Sequence, residues 1–198
     1  MGLSIHYSGS FNHQASLSEM IEEVKDIAEI YKWKYHIFEK HFPKDSLGKD
    51  SFDNQIYGIY FTPPNCETVC LSFLSNGKMS STTHLKLYGN STNTENANYL
   101  YMLWVKTQFA GVDTHKLIVH LLKYLSKKYF IDFKVDDEGE YWETGNEELL
   151  KNKFSQYNAL LDTVSSAMEN YPIDKGETFE QYFERVLKRN NEKRNGTE

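Results

Sequence analysis

The sequence predicts an α+β protein: a mixed, mainly antiparallel sheet with helices packed on one face and a C-terminal helical pair. Three observations carry that class. Two β-rich runs joined by Pro63-Pro64-Asn65 and followed by Asn76-Gly77 read as a meander, because Asn-Gly supplies the positive φ angles a tight hairpin needs. Two apolar stripes at helical spacing each lie between strand-like runs and give β-α-β units on either side of that meander. A third and longer stripe closes the chain with no strand after it.

Leu3 to Ser8 is rich in strand formers and opens the first unit. Ser16 with Glu19 then forms a capping box ahead of Leu17, Met20, Ile21, Val24, Ile27, Ala28 and Tyr31, an amphipathic helix. Trp33 to Phe42 returns to strand-like residues and stops before Pro43. The polar stretch to Asn54 reads as a surface loop. Ile56–Thr62 and Thr68–Ser75 are the meander strands, and Asn76-Gly77 leads into a further strand. After the polar stretch Gly89–Asn98, Tyr99–Phe109 is the most apolar strand, large on both faces, and is expected at the centre of the sheet.

Asp113 is placed to cap the next helix, whose stripe is His115, Ile118, Leu121, Leu122, Leu125 and Tyr129, with Lys116, Lys123 and Lys127 on the solvent side. Ile131–Val135 follows as a short strand. Strand, helix and strand with short connections imply a parallel pair and a right-handed crossover. Tyr141-Trp142-Glu143 resumes a β pattern, and Thr144 with Glu147 forms a second capping box. Leu150, Phe154, Tyr157, Leu161, Val164, Met168 and Tyr171 then recur at steps of four and three, giving a helix about 37 Å long at 1.5 Å per residue. Pro172 and Gly176 end it, and Phe179, Tyr182, Phe183, Val186 and Leu187 mark a last amphipathic helix. Residues 1–145 thus read as the core domain. Residues 146–190 read as a helical extension packed on the core or on a second subunit, and 191–198 as a disordered tail.

The charge of -6 on 198 residues repels polyanions, and no basic face is evident, so nucleic-acid binding is not expected. No apolar window approaches the length of a membrane span, and the opening residues lack a basic region followed by an apolar run. These points predict a cytoplasmic protein. Cys66 and Cys70, the only two cysteines, fit neither a disulfide scaffold nor a four-ligand zinc site and read as reduced thiols.

One stretch concentrates chemical groups: VDDEGEYWETG, residues 135–145. Parallel strands joined by a helix finish at the same edge of a sheet, so Lys106, Thr107 and Gln108 should end near Asp136, Asp137 and Glu138. His115, in the first turn of the intervening helix, starts at that edge too. Ligands favour such strand ends, and a helix N-terminus adds unpaired N–H groups. The catalytic candidates are therefore His115, Asp136, Asp137 and Glu138, and the ligand-binding candidates are Lys106, Gln108, His115 and Asp136. Asp136, Asp137 or Glu138 with His115 suit a divalent cation and a metal-dependent hydrolase, whereas Lys106, Gln108 and the helix start suit an anionic group. A purely structural explanation competes with both: Lys106 pairs with Asp136 or Glu138, His115 is satisfied at the rim of the core, and the other acids face water.

Other histidines do not assemble. His36 and His41, like His115 and His120, are five residues apart, which places them on different faces of a helix or a strand. No nucleophile elbow, Walker loop or dinucleotide fingerprint is present. The sequence favours a binding or interaction protein with no resident cofactor, inhibitor- or immunity-like toward a basic protein partner. The metal-dependent hydrolase is the alternative. A homodimer through the Leu150–Tyr171 helix is compatible with either.

Overall fold

The structure, a computed structural model, describes residues 2–91, 98–170, 173–178, 180–182, 184–186 and 188, with only the backbone described at 164, 167 and 168. It divides into two compact units, 1–154 and 155–198.

In the first unit, β1 (Ser4–Phe11) buries Ile5, Tyr7 and Phe11 and turns Ser4, His6 and Ser8 to the other side, the alternation expected of a strand with one covered face. After it come α1 (Leu17–Ile30), β2 (Lys34–Ile37), β3 (Tyr57–Thr62), β4 (Val69–Phe73), α2 (Thr82–Tyr88), β5 (Leu103–Lys106), α3 (Gly111–Tyr129), β6 (Phe130–Asp137), the single turn α4 (Tyr141–Thr144) and α5 (Glu147–Asn170). The strands form two three-stranded sheets ordered β5-β1-β6 and β2-β3-β4, and every strand pairing is antiparallel. The class expected from the sequence, α+β with a mainly antiparallel sheet and a helical C-terminal region, is the class found.

Residues 78–80 stitch the two sheets together. Phe73 bridges to Met79 on one side and Ser10 to Lys78 on the other, while Met79 N–H donates to Gly9 O at 2.9 Å and Ser80 N–H to Ser72 O at 3.0 Å. Gly77, at φ 86°, makes the preceding turn. The Tyr7 hydroxyl adds a second stitch: it donates to Cys70 O at 3.1 Å and accepts from Cys70 N–H at 3.0 Å, so one side chain satisfies the unpaired backbone edge of β4.

The helices α1 and α3 cover one face. Leu17, Met20, Ile21, Val24 and Ala28 from α1 and Ile118, Val119, Leu122 and Leu125 from α3 are buried. The two helices meet where Tyr124 and Lys128 both bond Glu23. On the opposite face α2 seats its first N–H, that of Thr82, on the Tyr60 hydroxyl at 2.7 Å.

Six local expectations are corrected. The strand after Asn76-Gly77 reduces to isolated bridges at Lys78 and Met79, and Ser81, whose side chain accepts the His84 N–H, starts α2. The strand expected over Tyr99–Phe109 shortens to β5, which lies at an edge with Trp104 48% exposed; the central strand is β1, and its hydroxyl-rich outer face hid that from a hydropathy reading. β5 and β6 run parallel, as expected, but flank β1 instead of pairing with each other. Tyr141–Thr144 is helical, not extended. Two caps shift: α3 starts at Gly111 with no side-chain cap, leaving Asp113 inside the first turn, and Asn146, not Thr144, accepts the Leu149 N–H at the start of α5.

In the second unit α5 continues through Asn170. Thr178 and Gln181 exchange side-chain and backbone bonds at 3.0 and 3.3 Å in a reciprocal cap, and helical residues follow at 180–182 and 184–186. Arg185 grips Glu177 through two nitrogens at 2.7 and 2.6 Å. Tyr171, Pro172, Phe179, Phe183, Leu187 and the expected tail 191–198 lie outside the described residues.

Candidate functional site

The strand-end edge assembles because β1 pairs with both neighbours in register. Ser4 faces Lys106 and Ile5 faces Asp137, so the ends of β5 and β6 meet at the start of β1. Alternation then sends adjacent residues to opposite sides of the sheet. Thr107, Gln108, His115 and Asp137 are buried, whereas Asp136 and Glu138 are exposed and Lys106 is half-buried. The candidates therefore belong to two sites, not one.

The inner site is a closed chain of hydrogen bonds. Thr107 Oγ1 lies 2.8 Å from His115 Nδ1 and 3.3 Å from Leu3 O. His115 Nε2 lies 3.0 Å from Asp137 Oδ1 and 3.2 Å from Oδ2, with both side chains 0% exposed. The Thr107 proton can go to Leu3 O, leaving hydrogen on both ring nitrogens, or to Nδ1, leaving the ring neutral with Nε2–H on Asp137. Both ring nitrogens are occupied in either state. Asp137 also accepts from Gly139 N–H at 2.8 Å and from Tyr141 and Trp142 N–H at 2.9 Å each. It thereby caps α4, whose own first residues have no other partner for those donors.

Burial, the largest single influence on the Asp137 carboxyl, pushes it up. The hydrogen bond and charge of His115, with the N–H groups of Trp142 and Gly139, outweigh burial and hold it below the usual carboxylate range. Gly139 is required by contact: a Cβ there would stand 2.6 Å from Leu150 Cδ1 and 2.9 Å from His115 Nε2. Phe154 closes the other side, its ring edge-on to His115 at 5.7 Å. Gln108 completes this layer by accepting the Leu3 N–H at 3.0 Å.

A hydroxyl, an imidazole and a carboxylate in hydrogen-bond sequence are the parts of a nucleophilic triad. Here the hydroxyl is 0% exposed and engaged with Leu3 O, so a substrate carbonyl has no approach to it. The same occupancy bears on metal binding. Among the described residues no three His, Cys, Asp or Glu side chains gather to hold an ion, and the lone pairs of His115 and Asp137 already serve the chain itself. The cysteines offer no nucleophile either: burial pushes the Cys66 and Cys70 thiols up to about 12, so both stay protonated near neutral pH.

The outer site is a shallow trough on the solvent face of β5-β1-β6. Ser4, His6 and Ser8 form its floor. One bank is Met102 (46% exposed), just before β5, with Trp104 (48%) and Lys106 of β5, and the other is Lys134 and Asp136 of β6 with Glu138 just after it. Two hollows of about 440 and 270 Å³ share His6, Met102 and Glu138. Glu138 Oε2 accepts the Ser4 N–H at 2.7 Å, and Lys106 Nζ lies 5.5 Å from the centre of the Phe109 ring. A separate hollow of about 550 Å³ beside Phe38, Ile56, Leu85 and Lys86 contains none of the candidates.

Sequence reasoning named Lys106, Asp136 and Glu138, which reach this trough, but passed over His6, Trp104 and Met102. The available signal was the serine and histidine alternation in SIHYSGS, which marks an uncovered face of β1. His36, His41 and His120 are exposed and lie on separate elements or loops; His120 approaches the Tyr141 hydroxyl at 3.3 Å. No family model matches the chain, and no curated protein or solved structure resembles it closely enough to carry an assignment.

Proposed function

We propose that this chain is a binding or interaction protein that recognises its partner on the solvent face of β5-β1-β6 without turning it over. One observation carries the reading: Thr107, His115 and Asp137 at the strand ends are buried and bonded to each other, while Tyr99, Met102, Trp104 and Phe109 are 46–65% exposed. Exposed aromatic and methionine side chains with charges of both signs around them are the composition of a recognition surface. The net charge of -6 favours a basic protein partner, toward which the chain would act in an inhibitor- or immunity-like way. Such an association weakens as salt rises.

The test is affinity capture with the whole chain and with a Met102→Ala/Trp104→Ala variant, at low and at high salt. The reading expects a stoichiometric partner held by the parent chain at low salt and lost from the variant. Capture that the variant retains in full, or none at low salt, counts against it.

The metal-dependent hydrolase is the weaker alternative, since His115 and Asp137 would first have to leave their internal partners. Metal analysis of protein purified without a histidine tag or chelator, with and without His115→Ala, decides it. Dimerisation through the Leu150–Tyr171 helix is a further proposal. Leu150 and Phe154 are already buried, so the seam would begin at Tyr157, and sedimentation over a range of concentrations checks it.

A further inference from the structure

We infer that the open edge of β6 pairs with the same edge of a second copy of this chain, joining two β5-β1-β6 sheets into one. The inference is independent of the recognition surface and of the Leu150–Tyr171 helix. It begins from a difference between the two edges of this sheet. On the far side of β5, Glu67 fills the edge: its N–H donates to Lys106 O at 3.3 Å, and its Oε2 accepts the Lys106 N–H at 3.0 Å. On the far side of β6 no strand follows.

The ladder with β1 fixes which backbone groups point to that open side. Glu138 N–H donates to Ser4 O at 3.2 Å, one step beyond the Ile5–Asp137 register pair. Antiparallel pairs alternate between hydrogen-bonded and non-hydrogen-bonded. Asp136 with His6 and Lys134 with Ser8 are therefore hydrogen-bonded pairs, and Val135 between them turns its N–H and C=O away from β1. Among the described residues nothing bonds either group. Unpaired groups on a strand edge are a template for another strand.

The usable stretch has defined ends. At one, the register with β1 shifts around Asp132, at φ 52°. At the other, the chain turns as Glu140 N–H donates to Asp137 O at 2.8 Å. Phe133–Asp137 remains, and its middle residue is Val135. A two-fold axis there lets Val135 and its copy exchange both N–H···O bonds. The same axis sets Lys134 directly opposite Asp136 of the second copy, and Asp136 opposite Lys134 of that copy. These fall at non-hydrogen-bonded positions, with Cα atoms about 4.5 Å apart, where opposite charges on facing strands attract. Both side chains are exposed, and neither has a hydrogen bond or ion pair among the described residues. Phe133 and Val135, each half-buried, gain cover from the same pairing. The edge strand of the other sheet, β2, offers no such match, since its sequence KYHI contains no acid to oppose Lys34. The occupant that fits β6 is thus its own copy.

The test is sedimentation of the whole chain from micromolar to millimolar concentration, for the parent, for Lys134→Glu, for Asp136→Lys and for a mixture of the two variants. Paired with itself, each variant sets like charges opposite one another at both positions, whereas the mixture restores opposite charges at both. The expected result is a parent dimer, self-association weakened at least about tenfold in each variant as two pairs pass from attraction to repulsion, and dimers regained in the mixture. Both substitutions are surface changes, and matching melting curves establish that the variants fold. The inference is overturned if the parent stays monomeric throughout, if either variant self-associates like the parent, or if the mixture associates no better than its components. A dimer through the Leu150–Tyr171 helix would be indifferent to both substitutions and so gives the second of these results.

Discussion

Asp136 and Asp137 are neighbours on β6 with the same functional group and opposite circumstances. Asp137 is 3% exposed, bonded to His115 and to three backbone N–H groups. Asp136 stands in solvent on the trough's bank. Lys106 and Thr107 divide in the same way at the end of β5. The difference comes from the period-two alternation of a strand, which converts one acidic run into a structural keystone on one face and, on the other, a solvent-exposed bank of the surface proposed for recognition. Clustering of charges in sequence therefore says little about chemistry until their parity on the strand is known.

The comparison breaks most sharply at the keystone's partner. His115→Ala leaves the Asp137 charge buried without its counter-group, and unfolding free energy should fall by about 3–5 kcal/mol in urea denaturation. A loss below about 1 kcal/mol would mean the inner chain is not a structural unit. Acid sharpens the same point. The Asp137 carboxyl is held below the ordinary range, so its contribution is complete above the unfolded value of about 3.9 and is lost as pH falls through the lower folded value. Without His115, burial is less opposed, and the acid transition of His115→Ala should move to higher pH than that of the parent chain. An unchanged midpoint would contradict the assigned cause.

Gly139→Ala tests the fit around the keystone. The added methyl group meets Leu150 and the His115 ring at 2.6–2.9 Å, and overpacking of that kind costs about 1–3 kcal/mol. A melting temperature equal to that of the parent would show that the contact relaxes freely. The smallest effect is expected on the outer face, where Trp104→Ala should change stability within about 0.5 kcal/mol while abolishing partner capture. A large loss of stability there would make Trp104 a packing residue instead.

Much of the fold was legible in the sequence because its signals are local and repeat. Ser16 caps α1 as the capping box implied, the stripe on α3 is buried, and Pro63-Pro64-Asn65 joins β3 to β4. What escaped depends on long-range pairing. The apolar run around Leu103 resembles a central strand, yet its exposed Met102 and Trp104 lie on the trough while β1, with its serines, takes the centre. Ser81 outcompeted the strand that Asn76-Gly77 announced, because its side chain satisfies a helix-starting N–H. At the strand ends the convergence of Lys106, His115 and the acids was legible from the crossover alone. Which side each occupies required the register with β1, and the role of Thr107 required seeing the Leu3 carbonyl above it.

The most direct measurement is a matched pair of conservative substitutions on adjacent residues. Asp136→Asn and Asp137→Asn each remove one charge and keep the side-chain shape, and urea denaturation reads both. The account predicts a change within about 0.5 kcal/mol for Asp136→Asn and a loss of about 3 kcal/mol or more for Asp137→Asn, whose amide cannot serve both His115 and three backbone donors. Equal effects at the two positions, or a stable Asp137→Asn protein, would contradict the division of this acidic run into an internal keystone and an external surface.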